Sequence, residues 1–339
     1  MKILIIGGTG TISSAITRQL AESDHELWLL NRGSRRNEVP ENVKQIVADI
    51  NDEPEVRRLL AGHQFDSVCE FIGFLPSQVE RDIRLFTGIT RQYVFISSAS
   101  AYNKPVRCHI ITEATTLANP YWQYSRDKIA CEEVLMNAYR TQGFPVTIVR
   151  PSHTYCERSI PVSVHGTKGS WQVLQRMLQG KPVIVQGDGS SLWTLTWNED
   201  FARGFIGLLG NPKAIGEAFQ ITSDESLTWN QIYQTIAGTL GVELHACHVA
   251  SDFLAAVAPK EYDFEGNLLG DKAATVVFDC SKLKQAVPGF VATTPFHMGA
   301  ERTIANILAH PELQVPDPEF DIWCDKVIEA NKKAILSLG

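Results

Sequence analysis

Lys2-Ile-Leu-Ile-Ile6 runs straight into Gly7-Gly8-Thr9-Gly10, and Thr11-Ile12-Ser13 then opens a stretch in which Ile12, Ile16 and Leu20 recur at helical spacing. A β-branched run, a glycine turn and an apolar stripe of period near four read as strand, tight turn and helix. In that setting glycines let backbone N–H groups approach a pyrophosphate at the positive end of the helix. Gly7, Gly8, Thr9, Gly10, Thr11 and Ile12 are therefore candidate dinucleotide contacts. The spacing is Gly8-x-Gly10-x-x-Ser13, with serine where glycine or alanine is usual. A glycine turn after a strand is often only a turn, and its weight here comes from opening a β-α-β pattern.

Outward from that turn the pattern repeats. Leu27–Leu30, Ser67–Phe71, Tyr93–Ile96 and Val146–Val149 are short apolar runs separated by segments long enough for crossover helices. Continuous apolar strands alternating with helices predict an α/β fold with a Rossmann-type, doubly wound parallel sheet. Residues 1–155 are expected to form this dinucleotide-binding domain. Residues 156–339 are expected to form a smaller, mainly substrate-binding region, with a segment near 217–222 (Ala218–Thr222) returning to the sheet. Within it, 156–169 is loop-like, Ser170–Leu178 reads as a helix and Val183–Gln186 as a strand. Asp200 stands where an N-cap would start a helix over Phe201–Leu209. Asp317-Pro318 signals the start of a last helix, with Phe320, Trp323, Cys324, Val327 and Ile328 as its core stripe.

Bulk properties narrow the function. The chain has 339 residues, 44% hydrophobic and 20% charged, with a net charge of -7. That balance is ordinary for a globular protein, and the acidity disfavours nucleic acid as a partner. Seven dispersed cysteines without a C-x-x-C pair read as free thiols, and no metal site is expected. The first apolar run is too short for a signal sequence, and no stretch reaches the roughly 18 apolar residues of a membrane span. A cytoplasmic protein without a membrane partner is expected, as a monomer or homodimer acting on a small molecule.

The end of the second strand bears on the ribose. It reads Leu30-Asn31-Arg32-Gly33-Ser34-Arg35-Arg36, with no acid to bind a free 2′-hydroxyl. These arginines form either a solvated charged loop or a site for a 2′-phosphate, with Arg32 on the phosphate or stacked over adenine. The second reading favours NADP(H), with NAD(H) as the alternative, and makes Asn31, Arg32 and Arg35 candidate contacts.

Tyr124-Ser-Arg-Asp-Lys128 places Tyr124 and Lys128 at i and i+4, on one helix face. A tyrosine of ordinary pKa about 10 is a poor base near neutrality, and a lysine ammonium one turn away, together with the cofactor's positive nicotinamide, favours tyrosinate and lowers that pKa. Upstream, Tyr93–Ile96 ends in Ser97-Ser98, placing hydroxyls at a strand end; downstream, Arg150-Pro151 ends another strand. Together with Asp49-Ile50, Gly187-Asp-Gly189 and Asp200, this set resembles the short-chain dehydrogenase/reductase superfamily, in its extended, epimerase/dehydratase-like branch, over nearly the whole chain. The resemblance implies Ser98, Tyr124 and Lys128 as catalytic residues. Ser98 would donate to the substrate oxygen, Tyr124 would move its proton, and Lys128 would also bind the nicotinamide ribose. It further implies Asp49 at the adenine amino group with Ile50 beside the ring, and Phe71, Ile72, Ser97 and Pro151 along the cofactor. His153 falls where the branch often carries an asparagine facing substrate, although a lone histidine is more often structural.

Departures from the branch bear on the substrate. Glu70 stands where histidine is frequent. Nucleotide-sugar members carry an arginine shortly after Gly-Asp-Gly, where this chain has Trp193, and a second before a Gly-Asp pair, where it has Leu268-Leu269. Trp193, Trp197 and His153 are then expected to line a smaller, largely uncharged pocket for a sugar-like or polyol substrate. The bland alternative is that Trp193 packs in the core while Lys168 or Arg176 supplies the missing cation. The expected function is an NAD(P)-dependent oxidoreductase or epimerase acting at a hydroxyl or carbonyl. The alternatives are a nucleotide-sugar epimerase/dehydratase with relocated anchors, or a non-catalytic relative such as a redox sensor or RNA-binding protein, which Asn31-Arg-Gly33 resembles.

Overall fold

The computed structural model describes residues 1–34 and 39–338. One sheet contains β1 (Lys2–Ile6), β2 (Glu26–Asn31), β3 (Lys44–Val47), β4 (Ser67–Glu70), β5 (Tyr93–Ile96), β6 (Val146–Pro151) and β7 (Ala218–Ile221). The spatial order is β7-β6-β5-β4-β1-β2-β3, and every neighbouring pair is parallel. The order reverses between β1 and β4, so the C-terminal ends of these strands open a crevice at the switch point of the sheet.

Side chains alternate across the sheet. Ile3 and Ile5 of β1 pack in the layer of α1 (Ser13–Ala21) and the later helix Asn198–Leu208. Leu4 and Ile6 pack on the other face with α2 (Glu53–Leu60), α3 (Pro76–Phe86) and α4 (Gln123–Gln142). Burial on both faces explains why these strands read as continuous apolar runs. The edge strand β3 buries only Ile46 of its four residues, so it lacks the run that marks the others in the sequence.

Beyond β6 the chain builds a second core around α5 (Trp171–Leu178), Val183–Gln186 and the helices Trp229–Leu240, Phe296–Ala309 and Pro318–Leu338. It also returns to the first layer: Ala218–Ile221 pairs with β6, Phe219 opposite Val149. The helix expected to be capped by Asp200 starts earlier, at Asn198, because Leu195–Trp197 stays extended up to its first residue. Asp200 lies inside the first turn, fully buried, accepting from the Thr294 backbone N–H at 2.9 Å and pairing with Arg203. Asp317 does accept from the Phe320 N–H at the start of the last helix, at 3.3 Å. All seven cysteines are free thiols. Among the described residues no helix is long and apolar enough to cross a membrane.

Candidate active site

The glycine turn is shaped by close approach. Gly7 has φ +81°, and a Cβ there would meet the Ile72 side chain at 2.5 Å. A Cβ on Gly8 would fall 2.6 Å from Leu29. Ser13, in the third glycine position, is buried and does more than fit. Its hydroxyl donates to the Gly7 carbonyl at 2.6 Å and accepts from the Gly10 N–H at 2.9 Å. Thr17 donates to the Gly8 carbonyl at 2.8 Å. The turn is thus pinned from inside, leaving an open cradle ahead of the α1 N-terminus that fits a dinucleotide pyrophosphate.

The adjoining strand ends stand together. Asn31 lies opposite Val47, its side chain accepting from the Gly33 N–H at 2.9 Å, and Arg32 is exposed beside it. Arg35 and Arg36 lie outside the described residues. Asp49 is exposed at the end of the neighbouring strand and Ile50 is buried, while Thr11 is exposed on the turn. Phe71 leans on Phe205, ring centres 5.4 Å apart, and Ile72 projects over Gly7. Ser97 is a partial exception among the expected contacts. It sits at this edge, but its hydroxyl is buried and bonded to Glu132, which leaves only its backbone to face a cofactor. Glu70 turns inward, accepting from the Ile72 N–H. Burial and the neighbouring Asp82 push its carboxyl well above the usual range.

Helix α4 delivers Tyr124 and Lys128 to the same crevice. The Lys128 ammonium donates to the carbonyls of Gly73 and Ile96, both at 2.7 Å, and lies 5.8 Å from the Tyr124 ring centre. Burial lowers its pKa to about 8. Tyr124 shares the cavity wall with Ser98, whose hydroxyl favours the tyrosinate, yet burial moves its pKa upward, and the Asp271 carboxylate adds to the rise. This corrects the expected depression by Lys128, whose ammonium is committed to backbone carbonyls instead. Ser98 is held by a chain of hydroxyls: Ser125 donates to Ser100 at 2.7 Å, and Ser100 and Ser98 are 2.8 Å apart.

Ser98, Tyr124 and Pro151 line a cavity of about 260 Å³ together with His153 and Trp193. The Trp193 indole donates to His153 Nδ1 at 3.4 Å and stacks on Trp229. Indole only donates, so Nδ1 is the acceptor and the neutral ring carries its proton on Nε2. Burial holds the ring neutral, its pKa lowered to about 3. Trp197 does not join this wall. It ends a strand running into a helix and packs behind it, edge-on to Tyr155. Arg176 is committed elsewhere, to Asp321 and Asp325 at 2.6 and 2.7 Å, and Lys168 is exposed. Nor is the cavity uncharged, as expected from the sequence: Lys104, Asp271 and Lys272 line it too.

The family model described as "NAD dependent epimerase/dehydratase family" matches residues 3–222. The chain belongs to this family. It is an enzyme of the extended short-chain dehydrogenase/reductase type, and the family is NAD-dependent. Among relatives, a 2'-dehydrokanamycin reductase of Streptomyces kanamyceticus is 25% identical over 86% of this chain and 80% of that protein. A chloroplast stem-loop binding protein of 41 kDa of Arabidopsis thaliana is 26% identical over 78% of this chain and 68% of its own. The dTDP-glucose 4,6-dehydratase 1 of Escherichia coli K12 is 23% identical over 98% of this chain and all of that protein. A solved UDP-glucuronic acid 4-epimerase of Bacillus cereus, with UDP-glucuronic acid and NAD, superposes with TM-score 0.71 at 19% identity over 91% of this chain and 99% of that one. This likeness shows the shared fold.

Against that family frame, Ser100, Ser125, Lys104, Asp271 and Lys272 are the site residues the sequence did not single out. Ser98-x-Ser100 and Tyr124-Ser125 carry a local signal. Lys272 does not, because it comes to the site from a helical segment, Glu265–Lys272, far along the chain.

Proposed function

We propose that this family member is an NADP(H)-preferring oxidoreductase acting on a small sugar-like or polyol substrate rather than a nucleotide sugar. The observation that carries the reading is Tyr124 beside Ser98 on the wall of a small cavity where Trp193 replaces a diphosphate-gripping cation. A volume near 260 Å³ falls just below the roughly 300–1,000 Å³ usual for small-molecule sites, which suits a single ring. One relative is named for 2'-dehydrokanamycin, a substrate without a nucleoside diphosphate. Others are named for dTDP-glucose, and they support the competing reading.

Gly7–Ile12 would hold the nicotinamide cofactor, which when bound would provide hydride-transfer chemistry. Ser98, oriented by Ser100 and Ser125, donates to the substrate oxygen. Tyr124, kept protonated at neutral pH by burial, delivers its proton to that oxygen in the reducing direction. Lys128 would hold the nicotinamide ribose, and His153 Nε2–H would hold a substrate hydroxyl. Asp49, Ile50, Phe71, Ile72 and Pro151 would border the cofactor. Thermal-shift titration with NADPH present is expected to show stabilisation by free sugars, sugar acids or polyols. Micromolar binding of UDP- or GDP-sugars at this cavity would replace this reading with the nucleotide-sugar one.

Arg32, exposed at the end of β2 with no acid beside it in the sequence, is assigned to the 2′-phosphate. Charge-assisted hydrogen bonds of this kind contribute about 1.5–3 kcal/mol. Arg32→Ala should therefore weaken NADPH by roughly 10- to 100-fold and NADH little, measured by calorimetry. A wild-type preference for NADH, or an unchanged ratio in the variant, would overturn the assignment.

Cofactor affinity should also depend on pH through Lys128. A contact made by the ammonium is fully present below its free-protein pKa of about 8 and weakens above it. The loss can reach at most about tenfold per pH unit for a single proton. Fluorescence titrations of NADPH at successive pH values should show this decline in the wild type. Lys128→Met should bind more weakly and without the decline; a wild-type profile that stays flat to pH 10 would contradict the role.

A further inference from the structure

We propose that Lys104 and Lys272 form an anion subsite in the substrate cavity, so that the substrate carries one carboxylate in addition to its reacting hydroxyl or carbonyl. This rests on the small-substrate reading above and names the class within it.

Both lysines are almost wholly buried, Lys104 at 4% and Lys272 at 6% exposure, yet both line the cavity that holds Ser98 and Tyr124. Buried lysines are ordinarily paired, because an ammonium removed from water must recover its solvation from a partner. Among the described residues, the Lys104 ammonium has no ion pair within 4.0 Å and no hydrogen-bond acceptor. The Lys272 ammonium has one acceptor, the Asn267 amide oxygen at 3.3 Å. The nearby carboxylate, Asp271, makes no ion pair within 4.0 Å with either, although its field reaches both. One carboxylate balances one ammonium, and the subsite is left short of a single negative charge. A monoanion completes it; a diphosphate or a phosphate dianion would overrun it. Burial lowers the pKa of both lysines, and an anion beside them reverses that shift, so binding and protonation reinforce each other.

The lysines are placed before any ligand arrives. Asn119 donates to the carbonyls of Ser100 and Gly270, at 2.8 and 2.7 Å, which ties the Gly270–Lys272 segment to the loop carrying Ser98. The Lys272 carbonyl accepts from Trp229 Nε1 at 3.1 Å. The Lys104 backbone N–H donates to the Ala118 carbonyl at 2.8 Å. A subsite fixed this way loses little freedom when it binds.

The test is calorimetry on the full chain saturated with NADPH, using D-glucuronate and D-gluconate against glucose and sorbitol, with glucose 6-phosphate and UDP-glucose as further probes. Sugar acids are expected to bind at least about tenfold more tightly than their neutral counterparts. Lys104→Met and Lys272→Met should each erase most of that preference, while Lys104→Arg keeps it. Retained NADPH affinity verifies folding of each variant. Lys104→Met should also melt a few degrees higher than the wild type, since it removes a buried, unpaired charge; a packing role alone would give a lower melting temperature. Equal affinity for acids and neutral sugars, tighter binding of glucose 6-phosphate than of glucuronate, or a preference that survives both methionine variants would overturn the subsite and leave the small-substrate reading standing. Binding of UDP-glucose alone would overturn that reading, and the subsite with it.

Discussion

Tyr124→Phe is expected to lower kcat by about 10²–10⁴-fold, the usual worth of a positioned general acid, while NADPH affinity changes little. Phenylalanine keeps the ring, its contact with Phe74 at 6.3 Å and its packing on Trp122 at 5.0 Å, and removes only the hydroxyl. That hydroxyl shares the cavity wall with Ser98 and carries a proton that burial makes hard to lose. Ser98→Ala should fall in the same direction by less, because Tyr124 can still deliver its proton. Single-turnover measurement of NADPH oxidation separates the chemical step from binding. Near-normal turnover in Tyr124→Phe would remove the assignment.

The second large effect is on stability. Glu132 is buried on α4, and its carboxylate receives Arg150 at 3.0 and 2.6 Å as well as the Ser97 hydroxyl. Arg150 also donates to the Glu113 carbonyl at 3.2 Å. This pair joins α4, which carries Tyr124 and Lys128, to the ends of β5 and β6, which carry Ser97 and Pro151. Glu132→Ala leaves a buried guanidinium uncompensated and should cost about 3–5 kcal/mol in chemical denaturation. The double variant Glu132→Met, Arg150→Met should lose much less than the two single losses added together, because no charge is then stranded. Additive losses would show that the pair acts through packing alone.

What was legible in the sequence is what depends on local backbone or spacing. The turn at Gly7 and Gly8 is written in residues that tolerate φ +81° and the approach of Ile72 and Leu29. Tyr124 and Lys128 are readable because a helix repeats every 3.6 residues. β3 was not readable, since an edge strand with one buried residue leaves no apolar run. Asp200 resembles a cap by type, but the strand before it extends to Trp197 and takes its place. Trp193 and Trp197 sit four residues apart in the chain. Only the first reaches the cavity, because the second ends its short strand packed on Tyr155. Lys104 and Lys272 lie far apart in sequence and share one cavity, whose walls Asn119 ties together from Ser100 to Gly270, a link with no local signature.

The most direct measurement uses NADPH carrying deuterium at the transferable nicotinamide position, incubated with the protein and small carbonyl sugars, with mass spectrometry of the products. Deuterium is expected on the newly formed carbinol carbon of a small sugar or sugar acid, in the wild type and not in Tyr124→Phe. Absence of label from every small carbonyl substrate, with turnover confined to nucleoside diphosphate sugars, would contradict it.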